Sequence, residues 1–249
     1  ELLGLPFDIH TGGVDLKFPH HEDEIAQSKA GYSIEPTVFW CHNEFLEVEG
    51  EKMSKSLGNF FTLRDLIARG LDPIDIRFAM LSAHYSSKYN FTFDGISAAR
   101  KARMKVQEYI YDLWDKADGC IDEKIEGLAL ELRDKVFAEL ANDLHSPKAL
   151  AALFSFINDN EVDKISVEDA RKLLAVMSRV NDIYAAWEIA ERKEVKEEIP
   201  QEVIDLAEER LAAKKAKDFK RADEIRNKIT EMGYSIKDTK EGYEISKAN

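Results

Sequence analysis

The hydrophobic pattern changes character near residue 60. Before that point, apolar residues come in short runs rich in β-branched and aromatic side chains, which is a strand signature. Residues 7–10, FDIH, form one short candidate, and 37–48, TVFWCHNEFLEV, form a longer one closed by Gly50. Between them a helix is expected over 19–30. Pro19 suits its first turn, and Glu22, Asp23 and Glu24 place acid near its N-terminus. From residue 62 onward apolar positions recur every three to four residues, the helical period. That spacing predicts helices over 62–68 with Thr62 as cap, 72–82 opened by Asp72-Pro73, and 94–117 with Asp94 as cap. Further helices are expected over 128–144, 146–159 with Ser146 as cap, and 167–192. The charged stretch 191–200, ERKEVKEEIP, reads as a linker. Helices over 201–216 and 218–232 follow, ended by Gly233, and 234–245 alternates like a hairpin.

Composition narrows the class. The chain has 249 residues, 44% of them hydrophobic, enough for a sizeable core. Its formal net charge is −13, which argues against non-specific coating of nucleic acid and leaves room for a local basic patch. Two cysteines, Cys41 and Cys120, make no disulfide framework and fit a reducing, cytoplasmic setting. No apolar run approaches the ~20 residues of a membrane span, so no membrane partner is expected. The opening ELLGLP has no basic region and no long apolar core, so no signal peptide is expected there. It also lacks Met, as if the chain began inside something longer.

Two stretches carry candidate chemistry. The first is EKMSKSLGN, 51–59, where Lys52 and Lys55 sit among small residues between a strand and a helix. Ammonium groups and free backbone N–H groups on such a loop favour phosphate. The second is FDIHTGGVDLKFPHHEDE, 7–24. Gly12 and Gly13 follow a strand where the backbone must turn or pass close to a neighbour, and Asp15 can accept hydroxyl protons from a sugar. His20 and Glu24 stand at i and i+4, a spacing that brings imidazole and carboxylate together for a divalent metal; His21 with Glu24 is the alternative. Two ligands do not complete a zinc site, and Cys41 is the internal candidate for a third.

The combination GGVDLKFPHHEDEIAQS followed by KMSKSLGN resembles the class I cysteinyl-tRNA synthetases of the bacterial type. The likeness continues through LSAHY with NFT (81–92), DLHSPKAL (143–150) and the basic segment 206–226, so it spans essentially the whole chain. It implies an α/β remnant, the C-terminal half of a Rossmann-like catalytic domain, followed by a mainly helical bundle and a small α+β C-terminal module. The expected divisions are 1–61 for the catalytic part with the lysine loop, 62–119 for a helical stem-contact region, 120–195 for the bundle, and 196–249 for an anticodon-binding module. The activity implied is ATP-dependent activation of L-cysteine, with Mg²⁺ accompanying ATP, and transfer to tRNA(Cys). His20 and Glu24 would hold Zn²⁺ together with two cysteines, and the zinc would bind the substrate thiolate. Lys55 would hold the ATP phosphates, Lys52 would help stabilise the α-phosphate transition state, and Gly12, Gly13 and Asp15 would lie against adenine and ribose.

The chain departs from that pattern in several places. The other phosphate motif of the family and its two zinc cysteines are not in this sequence, so the chain by itself is expected to be inactive. Glu44 stands where the family has Gly, and Ser86 where it has Arg. The full-length protein is expected to be a monomer. Around 210–228 the charge reverses to basic. Lys214, Lys215, Lys217, Lys220 and Arg221 are the expected RNA contacts, with Tyr234 a possible stacking platform, and His84 is a possible further RNA contact. Two other readings are a non-catalytic tRNA-binding fragment and a ligase joining cysteine to an amino sugar in mycothiol synthesis.

Overall fold

The computed structural model describes residues 4–192, 200–215, 218–239 and 242–247. The chain divides into two compact units, Glu1–Arg192 and Lys193–Asn249. In the first unit, strand β1 (Phe7–Gly13) leads through turns into helix α1 (Glu22–Tyr32) and then strand β2 (Thr37–Asn43). β1 and β2 pair in parallel, with His10 beside Trp40 and Gly12 beside His42. The helix expected from residue 19 starts regularly only at Glu22. Phe18 is extended (φ −137°, ψ 131°) and kinks the chain, and the wide turn after it delivers His20 and His21 to the start of α1.

The strand expected over 37–48 is two strands in two sheets. After Asn43 the chain leaves β2, where the Glu44 N–H donates to the Tyr85 carbonyl at 2.9 Å. It re-forms as β3 (Leu46–Val48), which pairs antiparallel with β4 (Glu51–Lys52) and parallel with β5 (Tyr89–Phe91). The apolar run is thus shared between two ladders, which an alternation pattern alone does not reveal.

Helix α2 (Leu63–Ala68) opens with the Thr62–Asp65 capping box, and α3 (Pro73–Leu81) opens on Asp72. Their apolar faces close a small core of Val48, Leu66, Ile76, Ala79, Phe91 and Ile96. Helix α4 (Phe93–Lys116) is capped by Thr92 rather than Asp94, the Thr92 hydroxyl oxygen accepting from the Gly95 N–H at 2.9 Å. With α5 (Leu128–Ala141), α6 (Ser146–Asp159) and α7 (Val167–Tyr184) it builds the main core around Leu113, Leu132, Leu153, Phe156, Leu173 and Met177.

Three further helix boundaries differ from expectation. α5 stops at Ala141, and Asp143 and Leu144 then take left-handed conformations. Ser146 lies inside the first turn of α6, with His145 before it, and its hydroxyl donates to the Ala83 carbonyl. α7 ends at Tyr184 instead of 192 because Asn181 caps the turn: its side-chain oxygen accepts from the Ala186 and Trp187 N–H groups at 3.0 Å. That turn sends Trp187 back into the core, where its indole donates to the Arg103 carbonyl at 2.9 Å.

In the second unit, α8 (Gln201–Lys215), α9 (Phe219–Glu231) and the hairpin β6 (Tyr234–Thr239)–β7 (Gly242–Lys247) enclose Val203, Ala207, Ile225, Ile229 and Ile236. The hairpin pairs Ile236 with Ile245 and runs two residues further than the alternation suggested. The expected linker falls largely on 193–199, outside the described residues. No helix among the described residues is long and apolar enough to cross a membrane.

Candidate active-site half

In parallel sheets ligands gather outside the carboxyl ends of the strands. At that end of β1 and β2 the structure assembles three of the chain's six histidines, His10, His21 and His42, around Trp40, with His20 beside His21. Strand alternation puts Trp40 and His42 on one face of β2, and register puts His10 of β1 against Trp40, the rings stacked at 4.6 Å. His21 enters from the wide turn and is only 3% exposed. Its Nδ1 shares a hydrogen bond with His42 Nε2 at 2.8 Å, one ring donating and the other accepting. A Cβ on Gly12 would come within 2.7 Å of the His21 ring, so the small residue at that point is what lets the imidazole lie flat on β1. Burial, and then the adjacent His10 ring, hold the His21 pKa below the ordinary histidine value against the opposing pull of Glu24.

Glu24 is the hub of the cluster. One carboxylate oxygen lies 3.2 Å from His20 Nε2 and the other 3.5 Å from His10 Nδ1. Of the two pairings that spacing left open, His20 meets Glu24 directly, while His21 belongs with His10 and Glu24 to a set whose ligand atoms all lie within 4.8 Å of one another. His10 escaped the sequence reading. Its signal was the two-residue offset from the glycine pair, which becomes meaningful only once β1 is seen to end there. Cys41 does not join this group. Alternation turns it to the opposite face of β2 from Trp40 and His42, so it is not the missing ligand.

Asp15 sits in the short turn after β1, exposed and just beyond Gly13. The lysine loop is held in shape by Asn59, whose side chain accepts from the Ser54 N–H at 2.8 Å and donates to the Lys52 carbonyl at 3.2 Å. The Ser54 hydroxyl oxygen also accepts from the Leu57 N–H. Lys52 and Lys55 are both exposed, and each lies over an aromatic ring, Phe45 at 5.9 Å and Phe60 at 5.7 Å. Among the described residues neither has a carboxylate within ion-pairing distance, so both charges remain available to an anion.

The expected RNA contacts fare unevenly. Lys217 and the Lys215 side chain lie outside the described residues. Lys214 is half-buried and partnered. Lys220 is exposed on α9, whereas Arg221 is tied to Glu209 at 2.7 Å and Glu224 at 3.4 Å. Tyr234 packs against the second unit's core. Both ring nitrogens of His84 are occupied internally: Nε2 donates to the Asp143 carbonyl at 2.8 Å, and Nδ1 accepts from Ser86 at 2.7 Å.

The chain is similar in sequence to proteins of known family. Residues 1–101 match the family described as the tRNA synthetases class I (C) catalytic domain. The cysteine–tRNA ligase of Brachyspira hyodysenteriae (strain ATCC 49526 / WA1) is 42% identical over 248 residues, covering 97% of this chain and 52% of that protein. That of Chlamydia abortus (strain DSM 27085 / S26/3) is 40% identical over 254 residues, covering 99% and 52%. The chain therefore spans about half the length of the curated relatives it matches. Among solved structures, the LeuRS of Agrobacterium radiobacter K84, in a ternary complex with tRNA and LeuAMS, superposes with a TM-score of 0.57 at 22% identity, covering 72% of this chain and 26% of that one. This is a likeness of fold.

Proposed function

We propose that this chain, which belongs to the class I tRNA synthetases and has cysteine–tRNA ligases as its relatives, contributes one half of the active site of a cysteine-activating enzyme. The observation that carries the reading is the pairing of two sites. A histidine–carboxylate cluster sits at the carboxyl end of a parallel strand pair, and β4 with the loop that follows it carries two lysines that no carboxylate among the described residues neutralises. In this proposal Lys55 binds the ATP phosphates. Lys52 offsets charge that builds on the α-phosphate and the departing pyrophosphate as cysteine attacks. Asp15 holds the ribose, and the Gly12–Gly13 backbone lies against the nucleotide.

The cluster suits a zinc ion in its donor types. His10 Nδ1 is buried and makes no hydrogen bond among the described residues, its contact with Glu24 being only 3.5 Å, and the neighbouring ligand atoms are imidazole nitrogens and one carboxylate. His20 and Glu24 would hold the metal, with His10 and His21 beside them. Bound there, zinc would supply a Lewis acid that a thiolate satisfies far better than a serine hydroxyl, so selection could operate through binding alone. The His21–His42 hydrogen bond fixes ring orientation beneath the cluster, and Trp40 excludes water from one side. The helical segment of the first unit would contact the acceptor stem, and the second unit would face the anticodon of tRNA(Cys).

The β1–β2 pair supports the reading that this half needs a complement. Parallel strands are normally covered on both faces, yet Ile9 is 59% and Phe39 63% exposed. The test is cysteine-dependent ATP–pyrophosphate exchange, measured with the chain alone and with the chain joined to the N-terminal half of a relative. The expected result is no exchange alone, exchange with cysteine when joined, and none with serine. Robust exchange by the chain alone, or no cysteine-dependent exchange from the joined protein, would overturn the proposal. In the latter case the reading as a non-catalytic RNA-binding fragment would replace it. Activity toward an amino sugar in place of tRNA would favour the mycothiol-type ligase.

A further inference from the structure

Beside Lys52 the β4–β3–β5 sheet carries a small cavity of about 120 Å³, lined by Phe45, Leu46, Glu47, Lys52 and Lys88. Register explains its composition. Glu47 of β3 sits directly opposite Lys52 of β4. Lys88 immediately precedes Tyr89, whose N–H donates to the Phe45 carbonyl, so it reaches the same space from the other side of β3. The Lys88 ammonium meets Glu47 Oε1 at 3.2 Å. Lys52 has no carboxylate partner among the described residues and lies over the Phe45 ring. Two cations thus flank one anion, and the set keeps a net positive charge inside a protein whose overall charge is −13. The Lys88 side chain is 62% exposed and Glu47 takes only one of its three N–H donors, so the others are accessible to the oxygens of a ligand.

We propose that Lys52 and Lys88 form a two-cation seat for the oxygens of a polyphosphate, and that Glu47 is the built-in competitor that holds Lys88 when the seat is empty. Within the reaction proposed above, on which this inference rests, the occupant is the pyrophosphate that leaves ATP. Lys88 lies 36 residues beyond Lys52 in sequence and belongs to neither of the motifs that drew attention to the chain. A carboxylate in an anion seat weakens binding and hastens release. That suits a leaving group that must depart once the adenylate has formed.

The charges give the test its sign. Lys88→Ala and Glu47→Gln break the same ion pair, so a purely structural pair would move both variants in the same direction. An anion seat moves them in opposite directions. Titration of inorganic pyrophosphate into the chain at low salt should show binding weakened about tenfold by Lys88→Ala, tightened severalfold by Glu47→Gln, and close to the parent value in Lys88→Arg. Shifts of both variants in the same direction, no shift in either, or no pyrophosphate binding by the parent chain would overturn the inference. The joined protein separates this proposal from the one beneath it. Cysteine-dependent exchange with an unchanged KM for pyrophosphate in Lys88→Ala would remove only the seat. The predicted binding pattern without any exchange would remove only the cysteine-activating reading. A Lys88→Ala effect confined to the KM for tRNA would assign these cations to RNA and also overturn the proposal.

Discussion

Gly12→Ala and Gly13→Ala, compared as a pair, test whether the histidine cluster is built on a backbone that tolerates no side chain. The two glycines are adjacent at the end of β1, so the general gain from replacing Gly in a strand, about 0.5–1 kcal/mol, is common to both and cancels in their difference. What differs is the neighbour. At Gly12 the new methyl would stand 2.7 Å from His21 Cε1 and 3.1 Å from Nε2. That ring is buried, hydrogen-bonded to His42 and packed between His10 and Trp40, so it has nowhere inexpensive to go. At Gly13 the methyl would overlap the Asp15 carboxylate, the free end of an exposed side chain that can rotate away. Overpacking of a held group costs about 1–3 kcal/mol, so Gly12→Ala should be less stable than Gly13→Ala by about that amount. For a unit of this size the melting temperatures should then separate by roughly 2–12 °C. Paired thermal melts measure the gap, and histidine Cε1 proton resonances report whether the His21 ring leaves the ring current of Trp40. Equal melting temperatures with unshifted resonances would show that the ring yields easily, and the argument from close approach would fail.

Three further outcomes are expected. Tyr85→Phe removes the hydroxyl that donates to Asp143 Oδ1 at 2.6 Å; this bond, with burial, pushes the Tyr85 pKa up to about 12, so its contribution is complete below about pH 10 and lost as pH rises through the folded value. The variant should lose about 1 kcal/mol near neutrality, modest because Asp143 is open to solvent, and the gap to the parent should close in urea melts above pH 10; a gap constant to pH 12 would contradict this. Arg103→Met strands the Asp75 carboxylate, which is 3% exposed and meets Arg103 at 2.6 Å, with Arg100 at 3.7 Å as partial relief; chemical denaturation should show a loss of about 3 kcal/mol, and a loss under about 1 kcal/mol would mean that Arg100 takes over. Phe39→Asp, on the exposed face of β2, should leave the chain's own melting temperature unchanged but abolish exchange in the joined protein; normal exchange in that variant would show that the complementing half does not cover this face.

The histidine–glutamate pair was legible because it is local. An i, i+4 spacing needs only one turn of helix to bring imidazole and carboxylate together, and Glu24 meets His20 as that rule requires. The lysine loop and the Thr62–Asp65 capping box were legible for the same reason. The cluster's other members were not. His10 and His42 reach it through the parallel register of β1 on β2, a pairing across about thirty residues that no local spacing encodes. Cys41 illustrates the converse: its residue type invited a ligand role, and a one-residue step along a strand put it on the wrong face.

Local patterning was enough to locate most helices and the candidate loop, since each depends on neighbours within one turn or one strand, and composition alone fixed the acidic balance of the chain. The division of 37–48 between two sheets and the meeting of Lys88 with Glu47 and Lys52 were decided by tertiary structure alone. Each depends on which distant segment supplies a backbone hydrogen bond or covers an apolar ring, and that choice is made by the packing of the whole unit.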